Sequence, residues 1–322
     1  MTMGPMVVLV TAAGGAIDRA SLQALSFATG LAAGGPVHAL LIGEPALAGE
    51  LGGWGATEVL VPDDPALVAS SPDAVAAAID ALADELGAAA VVGPGTDDGN
   101  AILARAATRA ALPFAANCIA AVGGSPLVVT RQRWAGSLLE EAAIEADRAM
   151  LTVAPNTVAA TPAGGTATIR SFTPSLDPAD LVVRVVDRIP APSSGVSLAA
   201  ARVVVSGGRG AGSAEGFAPI VELADLLGGA VGCSRAVTIA GWRPHTEHVG
   251  QTGTKIAPDL YILAGISGAT QHMAGCQGAK VLLAINKDGE APVMSAADYA
   301  IIGDLAEVVP AINAEIRRRR SA

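Results

Sequence analysis

Short apolar runs alternate with helical patterns along most of the chain, and this alternation restricts its fold more than any other feature. Residues 7–11 form a run with the length and composition of a buried strand. Residues 72–86 instead place Val75, Ile79 and Leu82 at helical spacing. Such alternation is typical of βαβ units, in which helices connect parallel strands. We therefore predict an α/β protein with largely parallel, doubly wound sheets.

The pattern divides into two blocks, and we predict one domain for each. Residues 1–188 form the first block, and residues 201–322 form the second. Residues 189–200 begin with a stretch rich in Pro and Ser, which favours an exposed linker. In the first block, the predicted strands are residues 7–11, 37–42, 58–62 and 88–93, followed by less regular β segments at 126–154 and 166–172.

The second block is the more regular of the two. Its predicted strands are residues 202–205, 230–232, 260–264, 280–285 and 299–302. Its clearest predicted helices are residues 214–227 and the segment from Leu305 into the arginine-rich end. This outline predicts a Rossmann-like domain in residues 201–322.

Composition and charge exclude several classes of protein. At 322 residues and 51% hydrophobic content, the chain can bury two cores. Residues 1–17 lack the positive segment of a signal peptide, and Pro and Gly interrupt the longest uncharged stretch, so we expect a cytoplasmic protein. The net charge of -10 would repel phosphate backbones, and we expect no nucleic-acid partner.

We predict no metal site and no disulfide framework. Cys118, Cys233 and Cys276 are far apart and lack the spacing of metal ligands. His245 and His248 have HxxH spacing, but no further ligands accompany them, and we expect them in an exposed loop leading to Val249.

In the second block, every predicted strand is followed by glycine or a hydrogen-bonding side chain. Because ligands of open α/β sheets bind at the carboxyl ends of the strands, we expect these residues to share one site. Glycines would let the backbone approach a pyrophosphate, Arg209 would supply charge, and Asn286 or Asp304 could bond a ribose or a base. The spacing differs from GxGxxG, which argues against the ordinary NAD-binding mode.

Five segments of the second block resemble, in order and spacing, the FAD domain of electron-transfer flavoprotein alpha subunits. They are residues 204–210 (VVSGGRG), 232–235 (GCSR), 249–253 (VGQTG), 260–262 (LYI) leading to 265–272 (GISGATQH), and 284–288 (AINKD). Leu263 and Thr270 depart from the residues usual in the family. In the first block the resemblance is carried by residues 131–136 (RQRWAG), which are similar to the family's Arg-x-x-Tyr-x-Gly segment with Trp in place of Tyr.

The resemblance implies one FAD per heterodimer, together with a beta subunit that holds an AMP of its own and packs on the N-terminal domain. It implies that Val249 to Thr252 approach the isoalloxazine, with the Thr252 hydroxyl near N5. His272 would face the flavin O2 side, and Arg235 would lie over the ring and stabilise the anionic flavin semiquinone. The implied FAD-binding residues are Arg209, Ser234, Arg235, Val249, Gly250, Gln251, Thr252, Ser267, Gly268, Ala269, Thr270, Gln271, His272, Asn286, Asp304 and Leu305.

The function implied by the resemblance is that of an electron carrier without substrate turnover. It would take electrons from flavin dehydrogenases, such as acyl-CoA dehydrogenases, and pass them to a membrane-associated quinone reductase or a similar acceptor. No Ser-His-Asp order, carboxylate pair or P-loop supplies catalytic residues for hydrolysis or phosphoryl transfer. Two alternatives remain open from the residues alone: an NAD-dependent transferase or dehydrogenase, and an adenine-nucleotide-sensing module.

Overall fold

The computed structural model describes residues 4–64, 67, 72–136, 138–185 and 197–321. The chain divides into two compact units, Met1–Arg188 and Ile189–Ala322, and each has its own sheet. Most of the predicted linker, residues 189–196, lies outside the described residues. In the described parts of the chain, no helix combines the length and the apolar character that crossing a membrane requires.

The first unit is built on a mixed, largely parallel sheet. Its described strands are β1 (Met6–Ala13), β2 (Ala16–Ile17), β3 (Val37–Ile42), β4 (Glu58–Pro62), β5 (Ala90–Pro94), β6 (Phe114–Val122), β7 (Leu127–Arg133), β8 (Leu138–Ile144), β9 (Ala149–Val153) and β10 (Thr168–Phe172). They lie in the order β10-β4-β3-β1-β5-β9-β6-β7-β8, and β2 pairs with β1. Pairing is parallel from β10 to β6, and β7 and β8 extend the sheet in antiparallel fashion.

Helices cover both faces of this sheet. They are α1 (Arg19–Ala32), α2 (Pro72–Glu85) and α3 (Asp97–Arg109), with 3₁₀ helices at Pro45–Trp54, Trp134–Gly136 and Pro178–Leu181. Side chains of a strand alternate between its faces. Val8 therefore packs in one core with Leu25 of α1, and Leu9 packs in the other with Ile79 of α2 and Leu103 of α3. This two-sided burial is why the central strands β5 and β9 are buried along their whole length and consist almost entirely of apolar residues.

The second unit contains a smaller, fully parallel sheet in its described residues. Its strands are β11 (Val203–Gly207), β12 (Ala230–Cys233), β13 (Leu260–Ala264), β14 (Leu282–Asn286) and β15 (Tyr299–Ile302). Its helices are α4 (Ala218–Leu227), α5 (Arg235–Ile239), α6 (Thr270–Met273), α7 (Pro292–Ala296) and α8 (Leu305–Arg320), with 3₁₀ helices at Arg209–Ala211, Glu215–Phe217 and His245–Glu247. The α/β class with largely parallel sheets is thus confirmed.

The strand order of the second sheet fixes where a ligand can enter. The order is β12-β11-β13-β14-β15, so the chain moves outward from β11 to β12 and then returns to the opposite side at β13. Connections on the two sides of this reversal diverge and leave a crevice at the carboxyl ends of β11 and β13. Along β13, Tyr261 and Ile262 point into different cores, so both faces of this sheet are buried as well.

Two parts of the fold differ from the sequence prediction. The predicted helix over residues 214–227 starts as a 3₁₀ turn and becomes α-helical only at Ala218, with Pro219 in its first turn, where a missing N–H is tolerated. Strand β6 was not predicted. Its register shifts between Cys118 and Ala120, and Asn117 has a left-handed backbone with φ of 59°, so the residues do not show a regular strand alternation.

Candidate functional site

A cavity of about 770 Å³ lies at the carboxyl ends of the strands of the second sheet. Loops that follow all five strands contribute to its wall. The volume falls within the roughly 300–1,000 Å³ that is typical of small-molecule and cofactor sites. The crevice expected at the reversal of strand order is therefore present and is large enough for a cofactor.

Thirteen of the sixteen residues predicted to bind the ligand line this one cavity. They are Arg209, Ser234, Arg235, Val249, Gln251, Thr252, Ser267, Ala269, Gln271, His272, Asn286, Asp304 and Leu305. Gly250, Gly268 and Thr270 are their neighbours in the chain but are not lining residues. Gly250 packs against Gly275, where an added Cβ would lie 2.4 Å from the Gly250 Cα, and Gly268 packs against the backbone of Val293. Thr270 begins α6 with its side chain exposed.

Residues 248–254 form a loop that projects Gln251 and Thr252 at the cavity. The Val249 N–H donates to the Cys233 carbonyl at the end of β12, at 2.9 Å. The Gln251 N–H donates to the Gln271 carbonyl in α6, at 2.7 Å. Because the loop is tied to two separate elements, its backbone is fixed while the Gln251 and Thr252 side chains remain exposed.

Two of the polar side chains predicted to bind the ligand form hydrogen bonds within the protein. The Asn286 amide donates to the Ile266 carbonyl at 2.9 Å, and its oxygen accepts from the Asp288 N–H at 3.0 Å. Asn286 thereby joins the loop after β14 to the loop after β13. Asp304 accepts from the Ala306 N–H at 2.9 Å and caps α8. Both residues shape the wall, and one Asp304 oxygen is left over for a ligand.

The cavity presents more positive than negative charge. Arg209, Arg235 and Lys287 line it, and none of them forms an ion pair with another residue in the described part of the chain. The carboxylates on the wall are Asp288 and Asp304. Guanidinium groups without an ion-pair partner in a cleft favour the binding of an anionic ligand. A planar guanidinium group can donate two parallel hydrogen bonds to phosphate oxygens.

His248 lies at the cavity, and its predicted place in an exposed loop is wrong. Its side chain is 2% exposed, its Nδ1 has no hydrogen-bond partner, and it is packed under Gly253, where an added Cβ would lie 2.7 Å from that nitrogen. Burial, followed by the nearby His245 and Arg235, lowers the pKa of His248. His245 does lie on the surface, with its ring centroid 5.4 Å from that of His248.

His272 is the second buried imidazole on the wall. Its Nε2 lies 2.8 Å from the hydroxyl of Tyr261, and its Nδ1 has no hydrogen-bond partner. Burial first, and then His248, lower the pKa of His272 to about 4, while the Val249 backbone acts in the opposite direction. At neutral pH the cavity wall therefore carries two uncharged imidazoles beside the permanent charge of Arg235.

Ten further lining residues are not among the sixteen predicted FAD-binding residues. Six of them lie in the strand-end loops that were expected to share one site: Gly210, Gly265, Ile266, Lys287, Asp288 and Gly303. The other four were not expected at the site: Ala236, His248, Ile285 and Ala291. No group of His, Cys, Asp and Glu side chains suited to a metal ion occurs among residues with described positions.

Comparisons with known proteins agree along both units. The family described as "Electron transfer flavoprotein domain" matches residues 6–177, and "Electron transfer flavoprotein FAD-binding domain" matches residues 197–277. The chain is 34% identical to the electron transfer flavoprotein subunit alpha of Bacillus subtilis over 97% of both chains. It is 38% identical to that of Paracoccus denitrificans over 81% of this chain and 83% of the relative, and 35% identical to that of Mycobacterium leprae over 99% and 100%.

Proposed function

The chain belongs to the family of electron transfer flavoprotein alpha subunits, and we propose that it binds one FAD in the cavity of its second unit and carries single electrons. The bound FAD would supply the one-electron chemistry. The observation that supports this most directly is the meeting of loops from all five strands of the second sheet around one cavity with unpaired cations.

The donor set of the cavity fits a dinucleotide that carries phosphates. Arg209 and the Ser234 hydroxyl, which makes no capping bond, follow β11 and β12 and would hold phosphate oxygens. Ser267 and Gln271 are exposed at the end of β13 and would bond the adenosine and ribityl parts. The 248–254 loop and Arg235 would then flank the ring.

Arg235 and Thr252 would have separate roles at the ring. Arg235 keeps its charge at every physiological pH and would hold negative charge that the cofactor acquires on accepting an electron. The Thr252 hydroxyl would donate to or accept from a ring nitrogen. Both residues would act on the cofactor itself, and the proposed role of the protein is that of an electron carrier rather than an enzyme.

We assign a beta subunit as the obligate partner, with an AMP bound in it. The first unit exposes three large apolar side chains near the turn between β7 and β8: Trp134, Leu138 and Leu139, with exposed fractions of 81%, 56% and 64%. Exposed large apolar side chains that lie near one another in the chain are a feature of protein interfaces. They support the assignment of the first unit as the beta-subunit contact.

Flavin dehydrogenases, such as acyl-CoA dehydrogenases, would be the electron donors, and a membrane-associated quinone reductase or a similar protein would be the acceptor. A reducing compartment such as the cytoplasm belongs to the same proposal. The reducing compartment is supported by three cysteines that are all buried as free thiols: Cys118, Cys233 and Cys276.

Co-expression with a beta subunit tests the cofactor assignment. The purified heterodimer should be yellow, with flavin absorbance and one FAD per alpha chain after acid extraction. A colourless heterodimer without nucleotide rejects the proposal. Nicotinamide as the bound cofactor would favour a dehydrogenase or transferase, and ATP or AMP as the sole ligand would favour a nucleotide-sensing module.

A further inference from the structure

Three buried polar side chains lie in a row beneath the cavity. Ser206 and Tyr261 are fully buried, and His272 is 6% exposed. Val204 pairs with Tyr261 across β11 and β13, and Ser206 lies two residues beyond Val204 on the same face of the sheet. The Tyr261 hydroxyl therefore lies between Ser206 on one side and the His272 Nε2, at 2.8 Å, on the other.

The hydrogen bond between Tyr261 and His272 has a preferred direction while His272 is neutral. A phenol is a far stronger acid than a neutral imidazole N–H, and an imidazole nitrogen is a far stronger base than a phenol oxygen. Tyr261 therefore donates to Nε2, and the ring proton of His272 resides on Nδ1. The Val249 backbone, which favours the protonated form of His272, lies beside the same ring.

The hydrogen bond between Tyr261 and His272 can reverse its direction when His272 becomes charged. Nε2–H would then donate to the Tyr261 oxygen, and the Tyr261 hydroxyl would rotate to donate to Ser206. The Ser206 Oγ is buried and lies close enough to the Tyr261 hydroxyl to lower the pKa of that phenol, and it accepts from no other group among the described residues, so it can accept from Tyr261. A buried imidazolium pays a large desolvation penalty for each unsatisfied N–H. This rotation gives the Nε2–H an acceptor, and the Val249 backbone beside the ring also favours the protonated form.

Apart from Arg235, the titratable groups that act on this row are uncharged at neutral pH. Cys233 and Cys276 act on Tyr261, and burial raises the pKa of each thiol to about 12. His248 faces His272 from the 248–254 loop, and its own pKa is lowered chiefly by burial. Arg235 on α5 acts on His248 and is the permanent cation of the group. Burial raises the pKa of Tyr261 well above its usual value, so its hydroxyl keeps its proton.

We propose that Tyr261 and Ser206 are positioning residues that let His272 take up a proton when negative charge enters the cavity. This inference rests on the proposed function, because the negative charge is that of the bound cofactor after one-electron reduction. In the balanced step, one electron comes from the donor flavoprotein, one proton comes from solvent and ends on His272, and the Tyr261 hydroxyl turns from His272 to Ser206.

The pH range in which His272 takes up a proton follows from the direction in which nearby negative charge shifts its pKa. Burial lowers the pKa of His272 to about 4. One negative charge a few ångströms away raises the pKa of an imidazole by about three units at the effective dielectric of a protein. His272 would then titrate near pH 7 in the reduced state. The equilibrium constant for the first one-electron reduction should rise tenfold for each unit that the pH falls below 7. Above pH 7 it should not depend on pH.

Potentiometric titration of the FAD-loaded heterodimer between pH 5 and 9 tests this. The wild type should show a slope of about 59 mV per pH unit below pH 7, which is the tenfold change for a one-electron couple. Tyr261→Phe removes the group that accepts from the charged ring, so its potential should show no slope between pH 5 and 9. Ser206→Ala should show a reduced slope. Tyr299→Phe alters the other tyrosine of the chain, which is exposed on β15, and should behave as the wild type.

A second measurement does not require bound FAD. In the FAD-free heterodimer labelled with ¹⁵N-histidine, the His272 shifts should report the proton on Nδ1, with assignment by His272→Asn. Tyr261→Phe should lose this preference, and Tyr299→Phe should keep it. A wild-type ring protonated on Nε2, or an equal pH slope in the wild type and Tyr261→Phe, overturns the inference. Failure to bind FAD would contradict the proposed function, while the tautomer measurement would still decide the arrangement of the row.

Discussion

At the scale of single residues, Arg235 is the cation to which we assign the stabilisation of negative charge added to the cofactor. It lines the cavity, forms no ion pair in the described part of the chain, and acts on His248 as a positive charge. A unit charge at about 4 Å contributes on the order of 4 kcal/mol at an effective dielectric near 20, which corresponds to roughly 170 mV for one electron. Solvent at the exposed side chain reduces this, so the effect in the protein should be smaller.

Arg235→Ala should therefore lower the first one-electron potential of the bound flavin by tens of millivolts, because the charge that stabilises the reduced form is lost. Spectroelectrochemical titration measures this directly. Arg209→Ala is the matched control, since Arg209 is also an exposed, unpaired cation of the cavity but follows β11 and is assigned to the phosphates. It should weaken FAD binding and leave the potential nearly unchanged. An unaltered potential in Arg235→Ala would reject the charge argument.

The position of a residue can be predicted from the sequence when neighbouring residues in the chain determine it. Arg209 and Ser234 were found because they directly follow strands, and strand ends converge by the geometry of the fold. His248 was misplaced because its burial depends on the 248–254 loop folding over its own ring, with Gly253 against Nδ1. Nothing in the spacing of His245 and His248 encodes that loop conformation. Asn286 lines the cavity, and its hydrogen bonds to Ile266 and Asp288 could not be predicted from the sequence because they depend on how two loops meet.

At the scale of elements, the strands were predicted best where apolar runs end abruptly. Observed and predicted bounds coincide at Val37–Ile42, Glu58–Pro62, Leu260–Ala264 and Tyr299–Ile302. Each of these runs is bounded by residues that favour turns, so local composition marks both ends. Strand β6 was missed because its bulge interrupts the alternation of side chains. The antiparallel β7 and β8 were placed only as an irregular β segment, since their pairing depends on contacts that are distant in the sequence.

The loop after β13 depends on a glycine at position 268. Gly268 has φ of 82°, and an added Cβ would lie 2.4 Å from the Val293 nitrogen at the start of α7. Gly268→Ala should therefore displace this loop, weaken FAD binding at least tenfold and lower stability by about 2 kcal/mol or more. Fluorescence titration of FAD and thermal unfolding measure the two effects.

Gly228→Ala provides a control that separates backbone strain from steric conflict. Gly228 ends α4 with φ of 62°, and no atom lies within 4 Å of an added Cβ. It should show only the cost of a left-handed backbone, about 1 kcal/mol, with unchanged FAD affinity. Equal loss of FAD affinity in both variants would contradict the packing role assigned to Gly268.

At the scale of the whole molecule, ligand binding and stability should be linked in one unit only. The cores of the two units are separate clusters, and all residues that line the cavity belong to the second unit. A ligand at 100 times its dissociation constant stabilises the state that binds it by about 2.7 kcal/mol. That gain should appear in the unit that forms the cavity.

Hydrogen exchange measured by mass spectrometry on the heterodimer, with and without FAD, tests this linkage. FAD should slow exchange in β11 and β13 by up to about a hundredfold where exchange requires the second unit to open, because the ligand must leave before the sheet separates. Peptides from β1 and β5 serve as the internal control, and their exchange should not change. Equal slowing in both sheets would contradict independent opening, and it would mean that the two units unfold as one cooperative body.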